Sequence, residues 1–466
     1  MASATPYSDR TSANPQIIPI RELAILYVAA VVLRLLNLWA IPDPNTYSFI
    51  EDSPIYWDGA AAWLESGFFS RPNGLAFIDE TERVPGYFLF LVPFRWLLGD
   101  SVLAALIGQS FLDAGSCVFI ALIGGTISKN IGLLAGAFAA VWPNFVIHSG
   151  LILTDSLFLF FFCCVLLFAA SFMRTGGIAA ALMSGLFCGL ALMTRPIALP
   201  MIFAMAVAAP FVVMRHDKGI ARAAITTLIF LAVAILPATP LIARNVTEYN
   251  TWQLTSQTGT HMLSWVVGYT KAISSGRSFD DVSRELLGKL EERHPEFKEG
   301  TVTPFESSRY RLALAKDELK WLSSGQLAGA WAHGMAVNFM APAISTEPRV
   351  RSLNQSSFAN STGDNVVERV WNFLSDNNPN FVLLMISGIV FAVICAIFQL
   401  IGLIHLFRVS IWHAVFGSLV VAYFLLANGP IGGPKYRLPI EPVLIILQSV
   451  SVLALIDWAR ARWRRA

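Results

Sequence analysis

Apolar runs dominate the chain and recur at lengths that a bilayer sets. Crossing about 30 Å of hydrocarbon takes about 20 mostly apolar helical residues. Residues 22–42, 101–127, 130–147, 155–173, 178–194, 197–214, 223–242, 380–407, 411–428 and 438–457 each fit that description. The pattern predicts an all-α polytopic membrane protein with about ten transmembrane helices. The stretch 85–98 is also apolar, but it is short and carries Pro85, Gly86, Pro93 and Arg95, so it reads as a helix lying along the membrane surface.

Two polar stretches interrupt the spans, 43–100 and 243–379. In the first, Ser53 as N-cap, Pro54 as first helical residue and Gly67 as stop predict a helix over 54–66, with Tyr56, Ala60 and Trp63 on the face turned to the protein or membrane. In the second, DDVSRELLGKLEERH and SSRYRLALAKDELKWL predict two amphipathic helices punctuated by Pro295 and Pro304. The AWAHGMAVNFMAP segment then reads as resting on the membrane, and the polar residues 343–378 as a mobile lid or an extended connector. The organisation expected is an N-terminal membrane module 1–242 containing the outer loop 43–100, a mostly helical outer domain 243–379, and a C-terminal membrane module 380–466 with a basic tail.

Charge orients these spans, because Lys and Arg of short connections are retained in the cytoplasm. With the N-terminus inside, the inner segments hold Arg10 and Arg21, then Lys129, then Arg174, then Arg215, Lys218 and Arg222, then Arg408, and finally Arg460, Arg462, Arg464 and Arg465. Every inner connection is basic. Both termini are therefore expected in the cytoplasm and the long loops on the outer, periplasmic face of a bacterial inner membrane. Counting 85–98 as a span would reverse everything after it and put basic clusters outside.

Composition agrees with a bilayer environment: 55% of the 466 residues are hydrophobic and only 14% charged. The net charge of +2 offers no footprint for nucleic acid. Cys117, Cys163, Cys164, Cys188 and Cys395 fall inside apolar runs and read as small fillers. The first 20 residues lack the pattern of a cleaved signal peptide, so the first apolar run is expected to stay as an anchor.

The candidate chemistry lies on the outer loops. Asp52 precedes the 54–66 helix beside Glu51, and is accounted for either as a base for an incoming hydroxyl or as a helix cap. Glu82 and Arg83 precede the Pro85-Gly86 turn, where an arginine's planar fork can meet a phosphate or snorkel at the interface. Asp155, at the mouth of a span, reads as a further carboxylate of the same face or as a cap. Arg195, Lys435 and Arg437 stand on short outer loops that should lack basic residues; a lipid-linked phosphate, or anionic headgroups, would explain them. Three outward carboxylates would also suit a divalent cation, and no other cofactor is expected. Inside the bilayer, Arg34 and Asp113 are costly charges that either serve helix packing or would be used for coupling by a transporter or flippase, the alternative reading of the chain.

Taken in order, Glu51-Asp52 with Tyr56, ERVPGY, LTD, GLALMTRP, LPATPLIARN and KYRLPIEP resemble the integral-membrane glycosyltransferases of the C superfamily, in particular bacterial relatives of protein O-mannosyltransferases and the aminoarabinose transferase that modifies lipid A. The resemblance covers residues 20–460 and is weakest after Arg244. It implies a polyprenyl-phosphate sugar donor, transfer with inversion, and an acceptor hydroxyl on a glycan, lipid or protein. It implies Asp52 as base with Glu82 and Asp155 as catalytic carboxylates. Arg83, Arg195, Lys435 and Arg437 fall to the donor phosphate, and Glu51, Tyr56, Tyr87 and Tyr436 to substrate binding. Arg83 stands where relatives have Lys, and the large lumenal repeat domain of the eukaryotic mannosyltransferases is not seen. A donor already carrying its phosphate needs no nucleotide site, in keeping with the lack of a glycine-rich phosphate loop.

Overall fold

A computed structural model describes residues 18–299, 301–353, 361 and 366–464; Arg10 and Arg465 of the orientation reading lie outside these. The architecture is helical, and all ten expected spans are helices. Eight are long and apolar enough to cross a membrane: Ile20–Trp39, Val102–Gly125, Asp155–Thr175, Ala198–Arg215, Ile220–Tyr249, Pro379–Val409, Ile411–Asn428 and Pro434–Trp463. A ninth is broken, because Lys129–Val141 and Pro143–Ser149 meet at 49°. Pro143 offers no N–H and its ring clashes with a continuing helix, so the straight span expected over 130–147 bends there. The tenth, Ile178–Thr194, has 17 residues and a length of about 26 Å, somewhat less than the hydrocarbon.

Small residues bring the spans together. A Cβ on Gly185 would lie 2.7 Å from the Phe230 carbonyl oxygen, and one on Gly189 2.7 Å from that of Ala234. Ile178–Thr194 therefore packs backbone to backbone against Ile220–Ile235. Elsewhere the chain turns apolar side chains outward: Leu383, Leu400, Leu419 and Leu426 are each at least 60% exposed. Such a band is tolerable only in lipid, so the protein is a multi-pass membrane protein. All five cysteines are buried and unpaired.

Arg34 and Asp113, left unpaired by the sequence reading, meet in the core. Arg34 Nε donates to Asp113 Oδ2 at 2.5 Å, Nη1 donates to the Ala30 and Ala140 carbonyls, and Nη2 donates to Cys117 Sγ at 3.2 Å. The pair is sealed, with side chains 0% and 1% exposed. Such a bolt between Ile20–Trp39 and Val102–Gly125 is a structural use of the two charges.

The 43–100 loop holds the predicted helix as Ser53–Ser66, stopped by Gly67 at φ +77°, and an unpredicted hairpin pairing Ser70–Asn73 with Ala76–Asp79. Gly86–Leu97 follows; its 12 residues reach about 18 Å and cannot cross. In the 243–379 segment the two amphipathic patterns form Phe279–Arg293 and Pro304–Leu319, the latter started by a Thr303–Glu306 capping box. The AWAHGMAVNFM segment belongs to the Ser324–Met340 helix, and the described part of 343–378 forms short helices rather than extended chain. The expected boundary at 242–243 falls within a helical run, since Ile220–Tyr249 continues past it. The change to polar side chains at Arg244 and Asn245 ends the apolar run and not the helix.

Candidate active site

The site begins at a turn. Ser53 Oγ donates to the Ile50 carbonyl at 2.7 Å and accepts from the Ile50 N–H at 2.9 Å, closing the chain just before the helix. Glu51 takes the left-handed conformation, φ +46°, which is uncommon outside glycine and asparagine. Asp52 occupies the N-cap position but makes no side-chain capping bond. Its carboxylate is instead 3.1 Å from Arg83 Nη2 and 41% exposed, while the Arg83 side chain is 14% exposed. The helix-cap account of Asp52 therefore fails on geometry. The loop's other cap, Asp43, does bond the N–H of Asn45.

Arg83 is held from several sides. Glu82 Oε2 lies 3.7 Å away, and its other oxygen, Oε1, accepts from Arg71 at 3.2 Å. Burial opposes the charge of Arg83, but Asp52, then Tyr56 and Glu82, hold its pKa above the ordinary value. Beneath, the buried Glu80 Oε1 accepts the N–H groups of Glu82 and Arg83 at 2.6 and 3.0 Å, which shapes the ERVPGY turn. Burial pushes the Glu80 carboxyl up, in spite of those bonds. From the 243–379 segment, Gln257 with its amide turned to suit both neighbours donates to the Glu82 carbonyl at 3.2 Å and accepts from Arg83. Arg244, in the ARN of LPATPLIARN, donates to the Glu80 carbonyl at 2.8 Å and covers Phe69.

A second pair, Asp155 with Arg195, comes from a helix start and a helix end. Thr154 caps Asp155–Thr175 without a side-chain bond, so here too the carboxylate is turned to a cation. The two pairs approach because Gly86 lets the backbone of the turn sit on the end of the Ile178–Thr194 helix: a Cβ there would lie 2.4 Å from the Met193 carbonyl oxygen. Tyr56 lies between the pairs. Burial raises its phenol to about 12, while Arg83 and Arg195 pull it down and Asp52 and Asp155 push it up. A third pair, Glu51 with Lys435, closes the opposite side, with the Lys435 ammonium 5.1 Å from the Tyr436 ring.

The structure thus gathers Glu51, Asp52, Glu82, Arg83, Asp155, Arg195, Lys435 and Tyr436 of the expected set. Tyr56 and Tyr87 lie beneath them rather than lining the opening. Their rings meet edge to face at 5.3 Å, Tyr87 is 0% exposed, and its hydroxyl is spent on Gln109 at 2.8 Å. Arg437 also departs from expectation. It is buried, with Nε 2.7 Å from Glu441 and Nη1 on the carbonyls of Phe339 and Ala341, each at 3.0 Å. It fastens the KYR turn to the end of Ser324–Met340, and Asn144 at the Pro143 break binds the same turn through the Pro434 carbonyl at 2.9 Å. Three cations rather than four thus face the opening. Each carboxylate is paired with a cation, and among the described residues no group of three or more His, Cys, Asp or Glu is placed to hold a metal ion.

Glu80, Arg71, Gln257 and Asn144 were not singled out from sequence. Glu80 had the best signal, a carboxylate two residues before Glu82 in DETERVPG, but its value comes from burial that only the fold reveals.

Residues 82–243 match the family model described as dolichyl-phosphate-mannose-protein mannosyltransferase. No curated protein sequence matches. Solved structures that resemble the chain include the oligosaccharyltransferase of Archaeoglobus fulgidus in complex with zinc and sulfate, at 13% identity and TM-score 0.48, covering 95% of this chain and 50% of that one. ArnT from Cupriavidus metallidurans bound to undecaprenyl phosphate is another, at 15% identity and TM-score 0.38, covering 92% of this chain and 76% of that one. The chain thus spans about half the length of the archaeal protein. The matched segment, about a third of the chain, contains the ERVPGY turn, Asp155, Arg195 and the LPATPLIA run, so over these residues the chain is similar to that membrane mannosyltransferase family.

Proposed function

We propose that the protein is an inverting glycosyltransferase of a bacterial inner membrane that moves a sugar from a polyprenyl-phosphate donor to an acceptor hydroxyl on the periplasmic face, in cell-envelope lipopolysaccharide or polysaccharide synthesis. The observation that carries this reading is Asp52: open to solvent, free of capping duty and beside Arg83. In the reaction the acceptor oxygen bonds to the anomeric carbon while the carbon–oxygen bond to phosphate breaks. The hydroxyl proton passes to the Asp52 carboxylate, and the electron pair leaves on the phosphate. Arg83, Arg195 and Lys435 neutralise the phosphate charge where it grows. Glu82 and Asp155 hold two of those cations in place. The membrane modules 1–242 and 380–466 carry the donor's tail, and the outer domain 243–379 covers the headgroup.

The test is transfer by the purified chain in liposomes supplied with radiolabelled polyprenyl-phosphate sugars, with the anomeric configuration of the product read by NMR. Inverted product supports the reading, and retained configuration excludes direct displacement. Arg83→Met is expected to lower transfer at least about a hundredfold, as for loss of a charge-stabilising donor. If Arg83→Met transferred as well as the parent, the phosphate assignment would fall.

A further inference from the structure

The 343–378 stretch closes on a helix, Val366–Asp376, that the chain leaves open on one side. Val367, Val370, Trp371 and Leu374 stand three and four residues apart and share one face, while Glu368, Asn372 and Asp376, each four residues apart, mark the other. Such an apolar stripe usually packs on the protein that carries it. Here Val367 is 79% and Trp371 70% exposed, and nothing among the described residues covers them.

The neighbours of the helix fix its level. Only Asn377 and Asn378 separate it from the span Pro379–Val409, and the Phe373 ring meets Phe381, near the start of that span, at 6.2 Å and 66°. The Asn377 side-chain amide donates to the Phe373 carbonyl at 2.6 Å and holds the corner. The outward side chains of the span begin at once, with Leu383. Upstream, the same stretch is tied to the same end of the membrane. Arg349 donates to the Asn37 side-chain oxygen at 3.2 Å and to the Ala40 carbonyl at 3.4 Å, where Ile20–Trp39 finishes. Trp39 beside them is 86% exposed. With 11 residues, Val366–Asp376 is about 16 Å long and cannot cross the hydrocarbon. It stands where two spans end.

We propose that Val366–Asp376 is a membrane-surface helix, lying in the plane of the bilayer at the end where Pro379–Val409 begins, with Val367, Val370, Trp371 and Leu374 sunk among the acyl chains and Glu368, Asn372 and Asp376 turned to water. The occupant of the open stripe is the bilayer and not a second protein, because the stripe is continuous with the lipid-facing side chains of the adjoining span. The indole of Trp371, at the rim of the apolar face, suits this level: its ring is apolar and its N–H can reach the headgroups. Both described ends of the 343–378 stretch are then fastened at the membrane. The near end packs on Pro379–Val409, where a Cβ on Gly388 would lie 2.4 Å from that of Pro342; the far end is held by lipid. The proposal stands apart from the transferase reading and does not depend on it.

The test uses the full chain in phospholipid liposomes, with a nitroxide spin label on one introduced cysteine at a time; the native cysteines are buried and leave the label specific. Labels at Val367→Cys, Val370→Cys and Trp371→Cys are expected to relax with oxygen and not with a water-soluble nickel complex, reading a depth of about 5–10 Å into the boundary between headgroups and acyl chains. A label at Asp376→Cys should show the opposite order. Nickel access at 367 and 370 equal to that at 376 would put the stripe in water and overturn the proposal. Shielding of these labels from both reagents would mean that protein, a second copy or another part of the chain, covers the stripe, and would overturn it equally. Val367→Cys and Val370→Cys keep the indole, so the reading survives if Trp371→Cys fails to fold.

Discussion

At the residue scale, charges that look alike in sequence divide into two kinds. Asp52, Glu82 and Glu51 pair with cations while remaining more than 40% exposed on their side chains. Asp113 and Arg34 are sealed. Removing one partner of a buried pair costs about 3–5 kcal/mol because the other is left uncompensated. Asp113→Asn should therefore lower the thermal stability of the detergent-solubilised protein sharply, whereas a coupling charge would leave stability alone and alter transport. Glu80 offers a pH test. Its folded pKa lies above the ordinary value of 4.5, so the folded chain keeps a proton that the unfolded chain releases. Stability is then fully present below 4.5 and declines as pH rises through the folded value. Glu80→Gln retains the acceptor oxygen for the turn and should flatten that slope in melting curves taken from pH 4 to 8; a slope unchanged by the substitution would place the titration elsewhere. Asp52 was legible as a candidate from sequence, but choosing between base and cap needed its side-chain direction, which depends on Ser53 taking over the closure of the turn.

At the element scale, most helices were legible because their apolar runs match the thickness of the bilayer and little else competes. The exceptions have local causes. Pro143 broke a span read as straight, and the hairpin over 70–79 was missed because its strands are short and mixed in character. Arg437 was grouped with Lys435 because the two lie two residues apart on one outer turn. On a helical turn such neighbours face apart, and Arg437 went inward to Glu441. Gly86 links two elements that sequence could not connect. With the Met193 carbonyl oxygen 2.4 Å from any Cβ placed there, Gly86→Val must push the ERVPGY turn off the Ile178–Thr194 helix. That would separate Arg83 from Arg195 and should abolish transfer, with a melting temperature lowered by several degrees, the usual effect of about 1–3 kcal/mol of overpacking. Transfer at the parent level by this variant would mean that the two cations need not act together.

At the scale of the whole molecule, a single face of the membrane must carry all the proposed chemistry. Because the native cysteines are buried, introduced ones report topology cleanly. Ser274→Cys in the outer domain should react with a membrane-impermeant maleimide in intact spheroplasts, and Arg174→Cys only after permeabilisation; the reverse pattern would invert the molecule. The expected division of the chain into membrane modules and an outer domain follows the same charge logic, while the convergence of the first loop, the 195 corner and the 435 turn is a property of the fold that no single segment announces. The central claim, that this convergence transfers sugar with Asp52 as base, is tested most directly by comparing the parent chain with Asp52→Asn in liposomes, measuring both transfer and retention of the polyprenyl-phosphate donor. Loss of transfer by about a hundredfold or more with donor retention intact is the predicted result. Undiminished transfer by Asp52→Asn would contradict it.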